Sequence, residues 1–125
     1  MEQKRKNILV TGGYGFIGYN FIKLMESLSD KIGTIINVDI NNYAAVNKPH
    51  VTVKTLEKSI GNVTLYDLSH NDIDIVVNFA AQTHVDNSIS GSSVFIQHNI
   101  VEFHKLLEVC RMYNSNKKDF RFIQI

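Results

Sequence analysis

Three glycines near the amino terminus have the spacing of a phosphate-binding turn. Gly12, Gly15 and Gly18 follow the apolar run at residues 8–10 and open a segment with helical apolar periodicity. Glycine is needed where the backbone takes a positive φ or approaches another group without a Cβ between them. A helix that begins at such a turn presents N–H donors and a partial positive charge to an anion. The sequence therefore predicts a turn that binds the pyrophosphate of a dinucleotide.

Asp39 extends this prediction to an adenosine ribose. The second apolar run, residues 34–38, ends at Asp39, which lies 21 residues after Gly18. An acid at the tip of the second strand can accept hydrogen bonds from both ribose hydroxyls, and it would repel the 2′-phosphate of NADP. No arginine stands beside it. The order of strand, turn, helix, strand and acid predicts a Rossmann-type βαβ unit that binds NAD, whereas the alternative is that Asp39 only begins a turn.

Length and composition argue against several other classes of protein. The 125 residues are 44% hydrophobic and carry a net charge of +1, which gives no general attraction to nucleic acid or to anionic membranes. No apolar run approaches the roughly 18 residues of a membrane span, and the amino terminus lacks the apolar segment of a signal peptide. Cys110 is the one cysteine, which rules out an internal disulfide and indicates a reducing compartment, so a cytoplasmic protein is predicted. We expect Cys110 to lie on the apolar face of a helix.

The remaining pattern alternates strands and helices, which predicts an α/β fold with a doubly wound parallel sheet that ends after about five strands. We expect a single domain over residues 1–125, with an exposed sheet edge, apolar patches and low solubility. After the first βαβ unit, the pattern predicts a short strand at 51–53, a short helix at 61–71, a buried strand at 74–79, a loop at 80–90, a long helix from 92–93 to 113–114 and a fifth strand at 120–125. The predicted buried stripe of the long helix is Ile96, Ile100, Phe103, Leu107 and Cys110.

The histidines do not indicate a metal site. His98 and His104 are six residues apart on one helix, which turns them away from a common face, so no metal is predicted. His84 and Asp86 have the strand-like spacing of an acid–base pair. The favoured interpretation is that His84 is a loop histidine that fixes the local backbone.

Residues 78–88, with the sequence NFAAQTHVDNS, form a second motif directly after the predicted fourth strand. Together with TGGYGFIG at residues 11–18, this run resembles the extended short-chain dehydrogenase/reductases. More narrowly, the chain is similar to the nucleotide-sugar 4,6-dehydratases that act on dTDP-glucose or UDP-glucose. The resemblance implies a lyase in which NAD takes hydride from C4 of the sugar, water is lost across C5 and C6, and the hydride returns to C6.

The resemblance also implies a set of site residues. Thr83 matches a position that contacts the sugar nucleotide as well as the cofactor. The positions that match the family's cofactor site are Gly12, Gly15, Phe16, Ile17, Gly18, Asp39, Ile40, Ser59, Ile60, Phe79, Ala80, Ala81, Thr83 and His98.

The chain departs from the family pattern at several of these positions. Ser59 stands where the family has an aspartate that contacts adenine, and Ile40 begins a stretch that differs from the usual Lys-Leu-Thr. His98 replaces a small hydroxyl residue, and Glu102 replaces a frequent glycine.

The family's catalytic groups, an acid pair and a Tyr-x-x-x-Lys pair, are expected beyond the fifth strand. We therefore assign no catalytic residue within residues 1–125 and expect this chain to be inactive by itself. In the family the long helix commonly lies at a dimer interface, so a homodimer of the full-length enzyme is a further expectation. Two alternatives remain: a short NAD- or partner-binding module without catalysis, and an NAD-dependent UDP-sugar epimerase or decarboxylase.

Overall fold

The fold is a five-stranded parallel sheet with helices on both faces. The computed structural model describes residues 4–40, 53–80 and 97–125. The strands lie in the order β3-β2-β1-β4-β5, so the direction of winding reverses between β1 and β4. This confirms the predicted doubly wound sheet. The strands are β1 (Lys6–Thr11), β2 (Ile32–Asp39), β3 (Lys54–Glu57), β4 (Ile75–Asn78) and β5 (Arg121–Gln124).

The helices connect these strands and cover the sheet. Within the described ranges, none of them is long and apolar enough to cross a bilayer. The helical elements are α1 (Phe16–Glu26), a 3₁₀ turn (Ile60–Asn62), α2 (Leu65–His70), a π-helical segment (Gln97–Glu102) and α3 (Phe103–Asn114).

Within the described part of the chain, two apolar clusters form the core, one on each face of the sheet. Ile22 of α1 packs with Ile8 and Val10 on one face, whereas Leu9 between them faces the other cluster. This alternation follows from the two-residue period of a strand. On the second face, Cys110 of α3 is buried as predicted, and burial raises the pKa of its thiol to about 12. The thiol is therefore a packing group and not a nucleophile.

The third strand begins at Lys54, so Val53, the last residue of the predicted strand at 51–53, precedes it, and residues 51 and 52 lie outside the described residues. Lys54–Glu57 pairs in parallel register with residues 36–39 of β2. It lies at the edge of the sheet, where exposed positions tolerate polar side chains, so its composition does not indicate a strand. The predicted helix at 61–71 is two elements, since the 3₁₀ turn ends at Asn62 and Thr64 then caps α2 through a reciprocal pair of bonds with Asp67.

The predicted buried stripe of the long helix is also partly wrong. Ile100 is 60% exposed and Leu107 is 37% exposed, whereas Leu106, Cys110 and Tyr113 are buried. Spacings of three and four fit either Leu106 or Leu107, and packing on the sheet selects Leu106. Ile100 lies in the π-helical segment, whose wider turn changes the phase of the helix. The predicted end of the helix is confirmed; its predicted start and Ile96 lie outside the described residues.

An apolar groove lies beside α1, where no helix of the described residues covers the sheet. It has a volume of about 590 Å³ and runs between α1 and the last two strands. Ile17 and Leu24 of α1 and Ile125 are more than half exposed there. The expected apolar patch is therefore present. The groove is lined by Phe16, Ile17, Asn20, Phe21, Leu24, Val77, Phe79, Ile123 and Ile125.

Substituting Leu24→Lys is expected to reduce self-association of this chain, because Leu24 presents a half-exposed apolar side chain to the groove. The free energy of unfolding should change by no more than about 0.5 kcal/mol, since the site is on the surface. Sedimentation velocity over a concentration series measures the effect. Leu65→Lys is the matched control, because Leu65 is 43% exposed on α2 and does not line the groove. An equal effect of both substitutions would contradict the prediction.

An ion-pair cluster holds the amino ends of the strands together. Lys117 contacts Asp72 at 2.5 Å and Asp74 at 3.1 Å, and Lys4 contacts Asp72 at 2.7 Å. The buried carboxylate of Asp74 also accepts the Asn7 backbone N–H at 2.8 Å. Hydrogen bonds from Lys117 and then Lys4 lower the pKa of Asp72 to about 2.

Asp72→Asn is expected to lower the free energy of unfolding at neutral pH by about 0.5 kcal/mol, a small effect because Asp72 is half exposed and solvent screens it. The folded-state pKa is depressed, so this contribution is present above pH 4 and is lost as the pH falls towards 2. Urea titrations at several pH values should show the two proteins converging in acid. Asp119→Asn is the control, because Asp119 shares a positive φ but has no ion pair within the described residues. A difference that persists in acid would contradict the prediction.

Candidate functional site: the turn between β1 and α1

The glycine turn connects the carboxyl end of β1 to α1. Gly12 has a φ of +79°, and its N–H donates to the Val38 carbonyl of β2 at 2.9 Å. Its own carbonyl accepts the Gly15 N–H at 3.1 Å, which closes the turn. A Cβ on Gly12 would lie 2.9 Å from the Ala80 nitrogen after β4. The backbone conformation and this close approach both require glycine at position 12.

The glycines of the turn differ in the contacts that an added Cβ would make. A Cβ on Gly18 would lie under 3.0 Å from the Gly12 carbonyl, and one on Gly13 would lie under 3.0 Å from the Asn37 side chain. The fold therefore requires both. Among the described residues, a Cβ on Gly15 would meet only the Gly12 oxygen, at an ordinary 3.4 Å, and the φ of Gly15 is −77°. No contact among the described residues requires glycine at position 15, and its lack of a side chain leaves the backbone open to the close approach of a ligand.

The amino terminus of α1 is open to an anion. Gly15 occupies the N-cap, and no side chain among the described residues caps the helix or places an acid in its first turn. The N–H groups of Phe16, Ile17 and Gly18 have no acceptor within the helix. The side chains of Phe16 and Ile17 line the apolar groove, so these two residues can contribute their main chain to the site. The arrangement suits a phosphate.

Asp39 lies at the end of β2 beside this turn. Its Oδ2 accepts the Tyr14 N–H at 2.8 Å, and its Oδ1 accepts the Ile40 N–H at 2.7 Å. These bonds fix the carboxylate against the turn and give Ile40 a positioning role through its backbone. A carboxylate has about four acceptor positions, so two fixed oxygens can also accept ribose hydroxyls.

Two residues that the sequence analysis did not single out position the turn. The buried Asn37 accepts the Gly13 N–H on its Oδ1 at 2.9 Å. Tyr14 is 3% exposed, and its hydroxyl donates to Glu57 of β3 at 3.0 Å. Burial, followed by the Glu57 carboxylate, raises the pKa of Tyr14, so its hydroxyl stays protonated as a donor. The sequence could have indicated Asn37, because it is a polar residue inside the otherwise apolar run of β2.

A chain of hydrogen-bonded polar side chains joins β1, β4 and β5 at the same edge. Thr11 donates to the Asn78 Oδ1, and the Asn78 amide donates to the Gln124 Oε1 at 2.7 Å. The Ala80 N–H lies 3.3 Å from both the Thr11 hydroxyl and the Asn78 Oδ1. These bonds hold the backbone that follows β4 against Gly12. Neither Thr11 nor Gln124 was expected from the sequence to have this role.

Of the other candidate residues, some pack in the core and one lies at the edge of the site. The Phe79 ring packs on Phe21 of α1 with centroids 5.2 Å apart, and Ile60 is buried in the core. Ser59 is half-buried after β3 and donates a hydrogen bond to Glu102. Among the described residues, no group of histidine, cysteine and acidic side chains could hold a metal ion. Ala81, Thr83, the His84–Asp86 pair and the side chain of His98 lie outside the described residues.

The Tyr-x-x-x-Lys spacing, which we expected only beyond the fifth strand, does occur twice in the chain. Tyr19 and Lys23 lie one turn apart on α1, where the Lys23 ammonium is 5.9 Å from the centre of the Tyr19 ring. Tyr113 donates to the Ile73 carbonyl at 2.7 Å, and Lys117 bonds Asp72 and Asp74 at the amino edge of the sheet. The Tyr113 pair is structural and lies at the opposite edge from the glycine turn.

The switch of strand order, the open amino terminus of α1 and Asp39 define a dinucleotide-binding class of α/β domain. Comparison with known proteins gives the family. The model of the GDP-mannose 4,6 dehydratase family matches residues 9–125, and the chain belongs to this family.

The relatives are longer than this chain. It is 38% identical over 133 aligned residues to the dTDP-glucose 4,6-dehydratase of Xanthomonas campestris pv. campestris, and the alignment covers 94% of this chain and 36% of the relative. The chain thus matches the amino-terminal third of the curated relatives.

Two solved structures show the same fold at 30% identity. The UDP-glucose 4-epimerase of Thermotoga maritima, solved with UDP-glucose, aligns with a TM-score of 0.78 over 94% of this chain and 37% of the other. The dTDP-glucose 4,6-dehydratase of Bacillus anthracis, solved in complex with NAD, aligns with a TM-score of 0.73 over 95% of this chain and 36% of the other. The predicted fold and family are confirmed.

Proposed function

We propose that this chain is the NAD-binding amino-terminal part of a nucleotide-sugar 4,6-dehydratase. The observation that carries the proposal is the glycine turn, in which no contact among the described residues requires Gly15, the N-cap of the open amino terminus of α1. A pyrophosphate there would accept the N–H groups of the first helical turn. Asp39, fixed by two backbone donors, would accept the hydroxyls of the adenosine ribose.

The charge of Asp39 supports NAD in preference to NADP. A 2′-phosphate would lie against the carboxylate and repel it. The cofactor would accept a hydride and would later return that hydride. The residues of this chain bind and orient the dinucleotide, and Thr83 is proposed to contact the sugar nucleotide as well.

The proposed substrate is dTDP-glucose or UDP-glucose, which would lose one water to give the 4-keto-6-deoxy sugar, so the enzyme would be a lyase. The support is the set of dTDP-glucose 4,6-dehydratases of 34–38% identity that align with nearly the whole chain. Acid–base groups for this reaction are proposed to lie outside these 125 residues, so the chain alone should bind NAD without turnover.

A UDP-sugar epimerase is the second candidate, because the epimerase of Thermotoga maritima has a TM-score of 0.78 against 0.73 for the Bacillus anthracis dehydratase. The two reactions differ in mass balance. A dehydratase product is lighter than its substrate by one water, whereas an epimerase product has the same mass.

The test is to incubate the intact gene product with NAD and either dTDP-glucose or UDP-glucose, and to measure product mass. Loss of one water supports the dehydratase, and an isomer of unchanged mass supports the epimerase. The 125-residue chain is assayed in parallel. Turnover by the chain alone would contradict the proposed location of the acid–base groups, and absence of NAD binding would contradict the proposed function.

Assembly and location are further parts of the proposal. The outer surface of the π-helical segment and α3 exposes Ile100, Val101, Leu107 and Met112, which are 37–60% exposed. We propose that this surface contributes to a homodimer of the intact enzyme in the cytoplasm, with no nucleic-acid or membrane partner. Sedimentation of the intact enzyme carrying Ile100→Lys tests the interface, since a monomer is expected.

A further inference from the structure

We propose that Glu57 is a second residue that selects NAD over NADP, as a carboxylate that the Tyr14 hydroxyl holds beside Asp39. The inference rests on the proposed binding of NAD at the glycine turn. It adds a negative charge at the end of β3 to the one at the end of β2. The selection would then depend on two neighbouring strands and not on Asp39 alone.

The register of the sheet places Glu57 next to Asp39. The two residues end β3 and β2, and they are partners in the parallel ladder. Side chains alternate between the faces of a strand, so two directly paired residues of parallel strands point to the same face. Both carboxyl groups therefore lie on the side of the sheet where a ribose bound to Asp39 would lie.

Tyr14 joins the two carboxylates to the glycine turn. Its backbone N–H donates to the Asp39 Oδ2 at 2.8 Å, and its hydroxyl donates to the Glu57 Oε1 at 3.0 Å. Tyr14 is buried, so its ring is fixed and its hydroxyl holds the otherwise exposed side chain of Glu57. Because the one proton of the hydroxyl is directed at Glu57, Tyr14 cannot donate it to a phosphate.

The charge of Glu57 is not neutralised within the described part of the chain. Lys58, the next residue, contacts Asp67 at 2.7 Å, and Glu57 forms no ion pair with another described residue. A phosphate monoester carries a charge of about −1.5 to −2 near pH 7. The 2′-phosphate of NADP would therefore face two carboxylates, whereas the uncharged 2′-hydroxyl of NAD would not be repelled by either.

Glu57→Gln tests the proposal by calorimetric titration of this chain with NAD and NADP in about 0.1 M salt. The amide still accepts the Tyr14 proton, so only the charge is removed. We expect the Kd of NADP to fall about fivefold relative to that of NAD. The substitution is also made together with Asp39→Asn, in which NADP binds more tightly and a further gain can be measured. Glu108→Gln is the matched control, because it removes the same charge from an exposed side chain of α3.

Salt separates repulsion by charge from a structural role of Glu57. Raising the salt concentration from about 0.1 M to about 1 M shortens the Debye length from about 10 Å to about 3 Å, so the gain should fall to about twofold or less. Tyr14→Phe keeps the ring and the backbone N–H but releases the Glu57 side chain. Its relative affinity for NADP should lie between those of the unsubstituted chain and Glu57→Gln. Far-UV circular dichroism and a melting curve of each variant confirm that the fold is retained.

The outcomes distinguish this inference from the function on which it rests. If Glu57→Gln changes the affinities for NAD and NADP equally, or if its gain for NADP does not depend on salt, the role of Glu57 is overturned while NAD binding stands. An equal gain with Glu108→Gln overturns it as well. Failure of both dinucleotides to bind the unsubstituted chain overturns the proposed function and the inference with it.

Discussion

Replacing Gly15 by alanine is expected to weaken NAD binding by about 10- to 100-fold without lowering the free energy of unfolding. Among the described residues, the new methyl group would meet only the Gly12 oxygen, at 3.4 Å, which the fold can accommodate. It would stand at the N-cap of α1, where a bound pyrophosphate must approach the backbone closely. Calorimetric titration with NAD and urea unfolding of the same preparations measure the two quantities.

Gly18→Ala is the control for this prediction, because it affects the fold and not the ligand directly. Its Cβ would lie under 3.0 Å from the Gly12 carbonyl, which is backbone and cannot move without opening the turn. We expect a loss of about 2–3 kcal/mol in the free energy of unfolding. Equal destabilisation by both substitutions would show that Gly15 is a structural glycine and would remove the main support for the pyrophosphate site.

Asp39→Asn is expected to reduce the preference for NAD over NADP from about 100-fold or more to within a few-fold. The amide is nearly isosteric and still offers an oxygen to the Tyr14 N–H, so the turn keeps one of its two backbone bonds to this side chain. The negative charge that repels a 2′-phosphate is lost. Titration of both dinucleotides into both proteins at one salt concentration gives the ratio.

Asp30→Asn is the matched control for the charge, because Asp30 is an exposed aspartate in the turn before β2, at the opposite end of that strand from Asp39. It should leave the ratio unchanged. If the unsubstituted chain binds NADP as tightly as NAD, Asp39 does not select between them, and the NAD preference has to come from elsewhere.

Local spacing explains why the first half of the site could be predicted from the sequence. The apolar run of β1, the glycines, the periodic α1 and the acid after β2 lie within residues 6–39, and each is fixed by neighbours in the chain. The structure places them as expected. The distinction among the glycines could not be predicted, since what a Cβ at Gly12 or Gly13 would meet is Ala80 or Asn37 on another strand.

The elements that were mispredicted are those whose environment is set by distant residues. β3 has the polar composition of an edge strand, and only its pairing with β2 makes it a strand. The apolar spacing of α3 allowed two phases, and packing against the sheet selected the one that buries Leu106 and exposes Leu107. In both cases the local sequence pattern was compatible with more than one structure.

The sequence by itself determined the order of the elements, the family resemblance and the positions of the glycine turn and Asp39, because these depend on residue types and spacings along the chain. The tertiary structure alone decided which polar groups meet. Ser59 and Glu102 are 43 positions apart, and Thr11 and Asn78 are 67 apart. No local rule relates residues at such separations. They become neighbours only when the parallel strands align their carboxyl ends, which places the end of each strand at one edge of the sheet.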